Sequence, residues 1–242
     1  MPTVDWNRQI WGEQHSWAED GDEWSGMAAF CRQPYPEWKA TLVERFLAPY
    51  AGGARILEIG PGHGRWGELL VERATRLTLV DINQSCLDFC QERFGTNPHV
   101  AYHLTDGWKL GVLEPGSVDF IWSFDSFVHM DGPVVEGYIS EFGRVLAPGG
   151  TVVIHHAAKP PWVLALRPVT GRLGKPGRVL QRFLVQHRLR GDGFRSDVSA
   201  AMVARWAEQA GLRVREQTDR WGDSGQYTVK KYRDCISVLE RR

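Results

Sequence analysis

At 242 residues, with 29 basic and 29 acidic side chains, the chain suits one domain with a sizeable core, or one domain plus a small cap. The balanced charge supplies no global field for nucleic acid, and no apolar run approaches the roughly 20 residues a membrane-spanning helix needs. The N-terminus shows no signal-peptide pattern, and Cys31, Cys86, Cys90 and Cys235 form no CxxC pair, so the expectation is a soluble, reduced, cytoplasmic protein.

Residues 1–50 read as a Trp-rich helical lid. Trp6, Trp11, Trp17 and Trp24 alternate with acids and glycines, and Pro34 to Tyr50 carries Trp38, Leu42, Phe46 and Leu47 at helical spacing. The tryptophans either pack on the domain as a loosely helical arm or cover a site, where their rings stack on a ligand. From residue 51 the pattern alternates strand and helix. Strands are predicted at Arg55–Gly60, Arg76–Asp81, His99–Leu104, Ser117–Ser123, Thr151–His156 and Gly211–Gln217, with a last one at Lys231–Leu239. Helices are predicted at Arg65–Ala74, Gln84–Phe94 (N-capped by Asn83 or Ser85), Val134–Leu146 and Ser196–Ala210. The fold class expected is α/β: a Rossmann-like, doubly wound, seven-stranded sheet, mostly parallel, whose last strand is antiparallel because a hairpin rather than a helix leads into it. In such sheets ligands lie beyond the carboxyl ends of the strands.

The segment from Lys159 to Arg195 holds nine Lys/Arg against the single acid Asp192, leaving 20 basic and 28 acidic residues elsewhere. It reads as a basic cap inserted into the domain at about 158–196. Its amphipathic stretch from Arg178 to Arg190 is either a solvated helix face or a reader of an anion, such as a sugar phosphate or a lipid-linked diphosphate at a membrane surface.

Two cofactor families compete for Glu58-Ile59-Gly60-Pro61-Gly62-His63-Gly64-Arg65-Trp66-Gly67. Gly62, Gly64 and Gly67 fit the GxGxxG dinucleotide fingerprint. Counted from Gly60, which follows the strand directly, the spacing is GxGxG with Glu58 still on the strand. Asp81 closes the second strand, where either family wants a carboxylate for ribose hydroxyls. Further on stand Thr105-Asp106-Gly107, Val118-Asp119-Phe120-Ile121-Trp122 and Arg144-Val145-Leu146-Ala147-Pro148-Gly149-Gly150. In that order over residues 55–156, these motifs resemble those of the class I S-adenosylmethionine (SAM)-dependent methyltransferases. The resemblance implies SAM as cofactor, held by Glu58, Gly60, Pro61, Gly62, Gly64, Asp81, Ile82, Thr105, Asp106, Gly107 and Phe124. Asp81 would bind the ribose and Asp106 the adenine.

Methyl transfer needs a nucleophile held in line with the sulfonium and a group that takes its proton. Asp125 and His129 follow the fourth strand, and His155 and His156 end the fifth, so these four are the catalytic candidates. Adjacent residues of a strand point to opposite faces, so one of the two histidines is expected to face the reaction. Either a histidine acts as base, tuned by Asp125, or Asp125, His129 and His156 bind a divalent metal such as Mg. The metal reading is similar to metal-dependent O-methyltransferases, but Val128 stands where a second carboxylate would be. The cluster can also be purely structural.

These readings converge on transfer of a methyl group to a hydroxyl of a sugar or polyol-like small molecule. The segments Phe124–His129 and Ile154–His156, with Trp221 and Asp234-Cys235, resemble methyltransferases of saccharide and natural-product assembly. Alternatives are N- or O-methylation of an aromatic or polyketide product, an NAD-binding oxidoreductase and a non-catalytic SAM-binding module. The partners expected are a small-molecule acceptor, anionic if the cap reads phosphate, and no nucleic acid. Peripheral membrane contact and a homodimer stay open.

Overall fold

The computed structural model describes residues 3–18, 22, 34–159, 172, 176, 196–230 and 233–241. The expected α/β fold is present. Strands β1 (Arg55–Ile59), β2 (Arg76–Asp81), β3 (Val100–Leu104), β4 (Val118–Ser123), β5 (Leu146–Ala157), β6 (Leu212–Thr218) and β9 (Asp234–Arg241) form one sheet in the order β3-β2-β1-β4-β5-β9-β6. Strands β1 to β5 pair in parallel, and β9 runs antiparallel between β5 and β6. Strands β7 (Arg220–Trp221) and β8 (Tyr227–Thr228) form a small hairpin of their own that the sequence pattern does not reveal.

The sheet is buried on both faces, as its near-continuous apolar strands require. On one face Trp38, Phe46, Trp66, Phe120, Trp122, Phe124 and Trp221 form an aromatic core; on the other Leu57, Ile121, Phe127, Tyr138, Phe142 and Trp206 do. The first core receives helix α2 (Tyr35–Leu42), a π-helical segment (Val43–Leu47) and α3 (Ala48–Ala51). The second is closed by α6 (Gly132–Val145) and α7 (Ala200–Gln209). Helix α6 starts where Asp131 accepts a hydrogen bond from the Val134 N–H at 3.2 Å, and its buried Val135, Tyr138, Ile139 and Phe142 recur at the spacing of one helical face.

Several boundaries differ from the pattern. Helix α4 covers only Gly67–Val71, because residues 61–66 form the turns of the glycine loop. Pro148-Gly149-Gly150 was expected to separate helix from strand. Instead α6 passes directly into β5, and an irregularity in the pairing with β4 between Val118 and Phe120 absorbs the turn residues. Helix α5 (Gln84–Phe94) matches its expected bounds, and its Cys86 and Cys90 are buried, free thiols. At the N-terminus, α1 (Val4–Gln9) and a π-helical turn (Ile10–Gln14) fold back on the carboxyl end of the sheet. The expected basic cap at 158–196, including Arg178 to Arg190, lies outside the described residues apart from a few positions.

Candidate active site

β1 and β4 are neighbours although they are not consecutive, so the strand order reverses between them and leaves a crevice at their carboxyl ends. Two side chains pin the crevice walls together. Ser123 Oγ donates to the Ile59 carbonyl at 2.7 Å, and Ser126 Oγ donates to the Gly60 carbonyl at 3.0 Å. The cavity there opens to solvent and is lined by residues of the glycine loop, the turn after β4 and the N-terminal segment.

Its floor is the glycine loop. Gly60 and Gly62 have φ of +67° and +55°, and a Cβ would come within 2.3 Å of Ser126 Oγ at the first and 2.7 Å of the Trp17 ring at the second. Glycine is required at both for backbone conformation and for space. Gly60, Pro61, Gly62, Asp81, Ile82, Gly107 and Phe124 line the cavity. Glu58 does not: it lies buried beneath the loop, and its Oε2 has no hydrogen-bond partner among the described residues. Burial pushes the Glu58 carboxyl up to about 8, against the pull of Arg65 and with the help of Asp81. Asp81 is likewise pushed up by burial, to about 6, although the backbone N–H groups of Asn83, Ile82 and Gly62 favour its charge. Gly64 and Thr105 stand behind the wall, Thr105 Oγ1 donating to the Lys109 carbonyl at 3.0 Å.

Asp106 departs from its expected place. It is exposed, pairs with Lys109 at 3.2 Å and does not line the cavity; the turn aims Gly107, not Asp106, inward.

Of the four catalytic candidates, Asp125 and His129 line the cavity. His155 and His156 are fully buried and point to opposite faces of the sheet. His155 lies behind Asp125, accepting the Asp125 N–H on Nδ1 at 3.2 Å. His156 faces the second core. Its Nδ1 is 2.8 Å from the Ala157 carbonyl and its Nε2 is 2.6 Å from Ser237 Oγ, and burial lowers it to about 4. His156 therefore cannot join Asp125 and His129 around one ion. No group of three or more metal-ligating side chains converges among the described residues. The metal reading does not fit these donors.

The site also contains residues that sequence reasoning assigned no role. Arg65 is buried on the cavity wall, 3.9 Å from Asp125 Oδ2 on one side and from Asp22 Oδ1 on the other. Burial alone would raise Asp22, but hydrogen bonds from Lys39 and Tyr35 and the charge of Arg65 hold its carboxyl below its ordinary value. A signal was present: an arginine just before a helix N-terminus opposes the helix dipole, so it needs acids of its own. The N-terminal segment supplies the roof. Trp17 stacks on His63 with ring centroids 4.4 Å apart, and His63 stacks on Phe89 at 3.8 Å. Trp11 packs on the His129 ring at 4.9 Å, and Val4 closes on Gly107. Tyr138, expected only as a core residue of α6, also reaches the cavity.

This arrangement can hold an adenosyl group. The loop adds no side chain of its own at Gly60 and Gly62, Asp81 offers a buried acceptor for a diol, and the aromatic roof offers faces for stacking.

Residues 56–150 match the methyltransferase domain family. The chain is 31% identical over 119 residues to squalestatin hexaketide synthase from Phoma sp., a stretch covering 44% of this chain and 4% of that protein. It is 25% identical over 118 residues to the ubiquinone biosynthesis O-methyltransferase of Xanthomonas campestris pv. campestris, covering 48% of each. The match thus spans less than half the length of these curated relatives. Among solved structures, geranyl diphosphate C-methyltransferase from Streptomyces coelicolor A3(2), in complex with Mg2+, geranyl diphosphate and S-adenosyl-L-homocysteine (SAH), superposes with a TM-score of 0.64. That alignment covers 100% of this chain and 99% of the other at 16% identity, a likeness of fold. Domain match and fold are those of class I SAM-dependent methyltransferases.

Proposed function

We infer that this chain, a class I SAM-dependent methyltransferase, transfers its methyl group to a hydroxyl of a sugar or polyol-like small molecule. One observation carries the reading: Asp125 and His129 share a cavity with the glycine loop and Asp81, so proton acceptors and cofactor cradle face the same space. Bound SAM supplies an electrophilic methyl on sulfur for in-line displacement. Asp81 accepts the ribose hydroxyls, and Gly60 and Gly62 let the backbone approach the amino acid part. Asp125 and His129 take the proton of the acceptor hydroxyl, since both nitrogens of His156 are engaged on the other face and His155 Nδ1 is occupied by the Asp125 N–H. The Arg65 guanidinium lies 3.9 Å from Asp125 Oδ2 on the cavity wall and favours that placement of the carboxylate. Trp11, Trp17 and the residues between them shut water out and offer a face on which a sugar ring stacks.

The phosphate part of the reading rests on the arginine-rich sequence from 159 to 195 alone. A second reading is O-methylation of an aromatic or polyketide acceptor. The aromatic walls favour it, and so do the names of the two curated relatives. An NAD-dependent oxidoreductase is disfavoured by the GxGxG spacing and by the antiparallel strand between β5 and β6.

The test is radiolabelled SAM with a panel of hexoses, hexose phosphates, cyclic polyols and catechols. Label in a polyol or hexose supports the first reading and label only in catechols the second. Tight SAH binding without transfer to any acceptor would leave a non-catalytic binding module, and binding of NAD in place of SAH would remove the assignment.

A further inference from the structure

We propose that Asp234 and His155 form a buried positioning chain that holds Asp125 in its catalytic conformation and selects one tautomer of His155. This deepens the reaction inferred above and rests on it for what Asp125 does, but not for how Asp125 is held.

His155 is completely buried and held on three sides. Its Nδ1 accepts the Asp125 N–H at 3.2 Å, its Nε2 lies 3.4 Å from Asp234 Oδ2, and Phe124 stacks on its ring at 4.3 Å with planes 20° apart. An N–H can only donate, so Nδ1 must carry the lone pair and Nε2 the proton; the buried Asp234 carboxylate lies 3.4 Å from that nitrogen, a charge contact without hydrogen-bond geometry. The sheet register makes this pairing. Ala157 is opposite Asp234 and His155 opposite Ile236, so His155 and Asp234 are diagonal neighbours on one face of the β5–β9 pair.

Backbone strain sits at both ends of the chain. Among the described residues, the non-glycine residues with positive φ are Asp125, at +72°, and Arg233, at +58° and immediately before Asp234. Aspartate tolerates this left-handed region better than most residues, yet it persists only where its surroundings hold it. The His155 Nδ1 acceptor is such a hold. It fixes the Asp125 N–H inward and leaves the carboxylate on the cavity wall with Oδ2 at 3.9 Å from Arg65. Asp234 opens β9 and is itself buried. Its position beside His155 gives it this task.

The test uses the full chain with 15N-labelled histidine. NMR should show the Nε2–H tautomer for His155, and Asp234→Asn should shift the population toward Nδ1–H, because an amide can turn its donor to Nε2. His155→Asn keeps an acceptor where Nδ1 was, whereas His155→Gln places its amide where Nε2 was. The Asp125 amide should therefore stay protected from hydrogen exchange in His155→Asn and lose protection in His155→Gln. With an acceptor from the panel, His155→Gln should lower kcat by about 100-fold, with KM for SAM unchanged, and His155→Asn should largely rescue it. An Nδ1–H tautomer in the native protein, or equal exchange in the two variants, would overturn the proposal. If the tautomer and exchange results hold but no acceptor is methylated, the reaction fails and the positioning chain stands.

Discussion

Asn7 and His129, 122 positions apart in the chain, meet at the mouth of the cavity, where Asn7 Nδ2 donates to the His129 carbonyl at 2.8 Å. The same Asn7 accepts from Trp11 Nε1 on its Oδ1 at 3.1 Å. One buried amide thus ties the N-terminal segment to the turn after β4 and orients the tryptophan that packs on His129. Asn7→Ala leaves that buried carbonyl without its donor and should cost about 1–3 kcal/mol. Thermal unfolding measures the loss, and faster proteolysis within residues 3–18 would show that the segment has come away from the loop. An unchanged melting temperature would mean that the contact carries no weight.

Asp81 is the buried carboxylate proposed above to accept the ribose hydroxyls, and it stands at about 6 because burial resists ionisation. SAH affinity should therefore fall as pH drops from 7 to 5, when protonation removes one of the paired acceptors. Asp81→Asn should bind about 10- to 100-fold more weakly at pH 7 and lose most of that pH dependence, read by calorimetry.

Glu58 and His156 act on stability in opposite senses. The Glu58 carboxyl rises from 4.5 to about 8 on folding, so the folded chain keeps a proton that the unfolded chain releases, and stability falls as pH rises through that window. His156 falls from 6.5 to about 4, so the unfolded chain binds more protons between those values and stability rises with pH there. Glu58→Gln, which keeps the shape without the ionisation, should stabilise the ligand-free protein by about 4 kcal/mol at pH 8 and do nothing at pH 4. Denaturant titrations at the two pH values decide it.

Asp125→Asn and His129→Gln should each lower kcat by about 10²- to 10⁴-fold while SAH affinity stays within about threefold, as expected of groups that act on the acceptor proton. Turnover should be indifferent to chelator, because no group of three metal-ligating side chains converges among the described residues and His156 is on the far face. Restoration of chelated enzyme by magnesium would reverse that conclusion.

Trp17 covers Gly62 while stacked on His63. Trp17→Ala should weaken SAH about 3- to 10-fold, the loss of one aromatic contact and part of the roof. No change would make the ring a packing residue alone.

The sheet and the cofactor loop were legible because their signals are local. A buried strand, a loop of glycines with positive φ and a strand-ending acid are set by residues within a few positions of each other, so Gly60, Gly62 and Asp81 stand where the pattern put them. Asp106 was misplaced by the same kind of reasoning. A turn can aim either of two adjacent residues inward, and the packing of Val4 against Gly107 decided which. The antiparallel last strand was also readable, from the hairpin that leads into it.

The amino-acid sequence alone thus determined the fold class and a short set of polar candidates, because strand and turn patterns act over short stretches of chain. The tertiary structure decided which of those candidates face the cavity. His155 and His156 are equivalent in sequence, and only the pairing of β5 with β9 puts one beside Asp234 and the other beside Ser237. Arg65, Asn7 and Asp22 acquire their partners through folding of distant segments onto the sheet, where burial strengthens each charge–charge contact. Contacts of that range depend on the whole topology, and no local pattern encodes them.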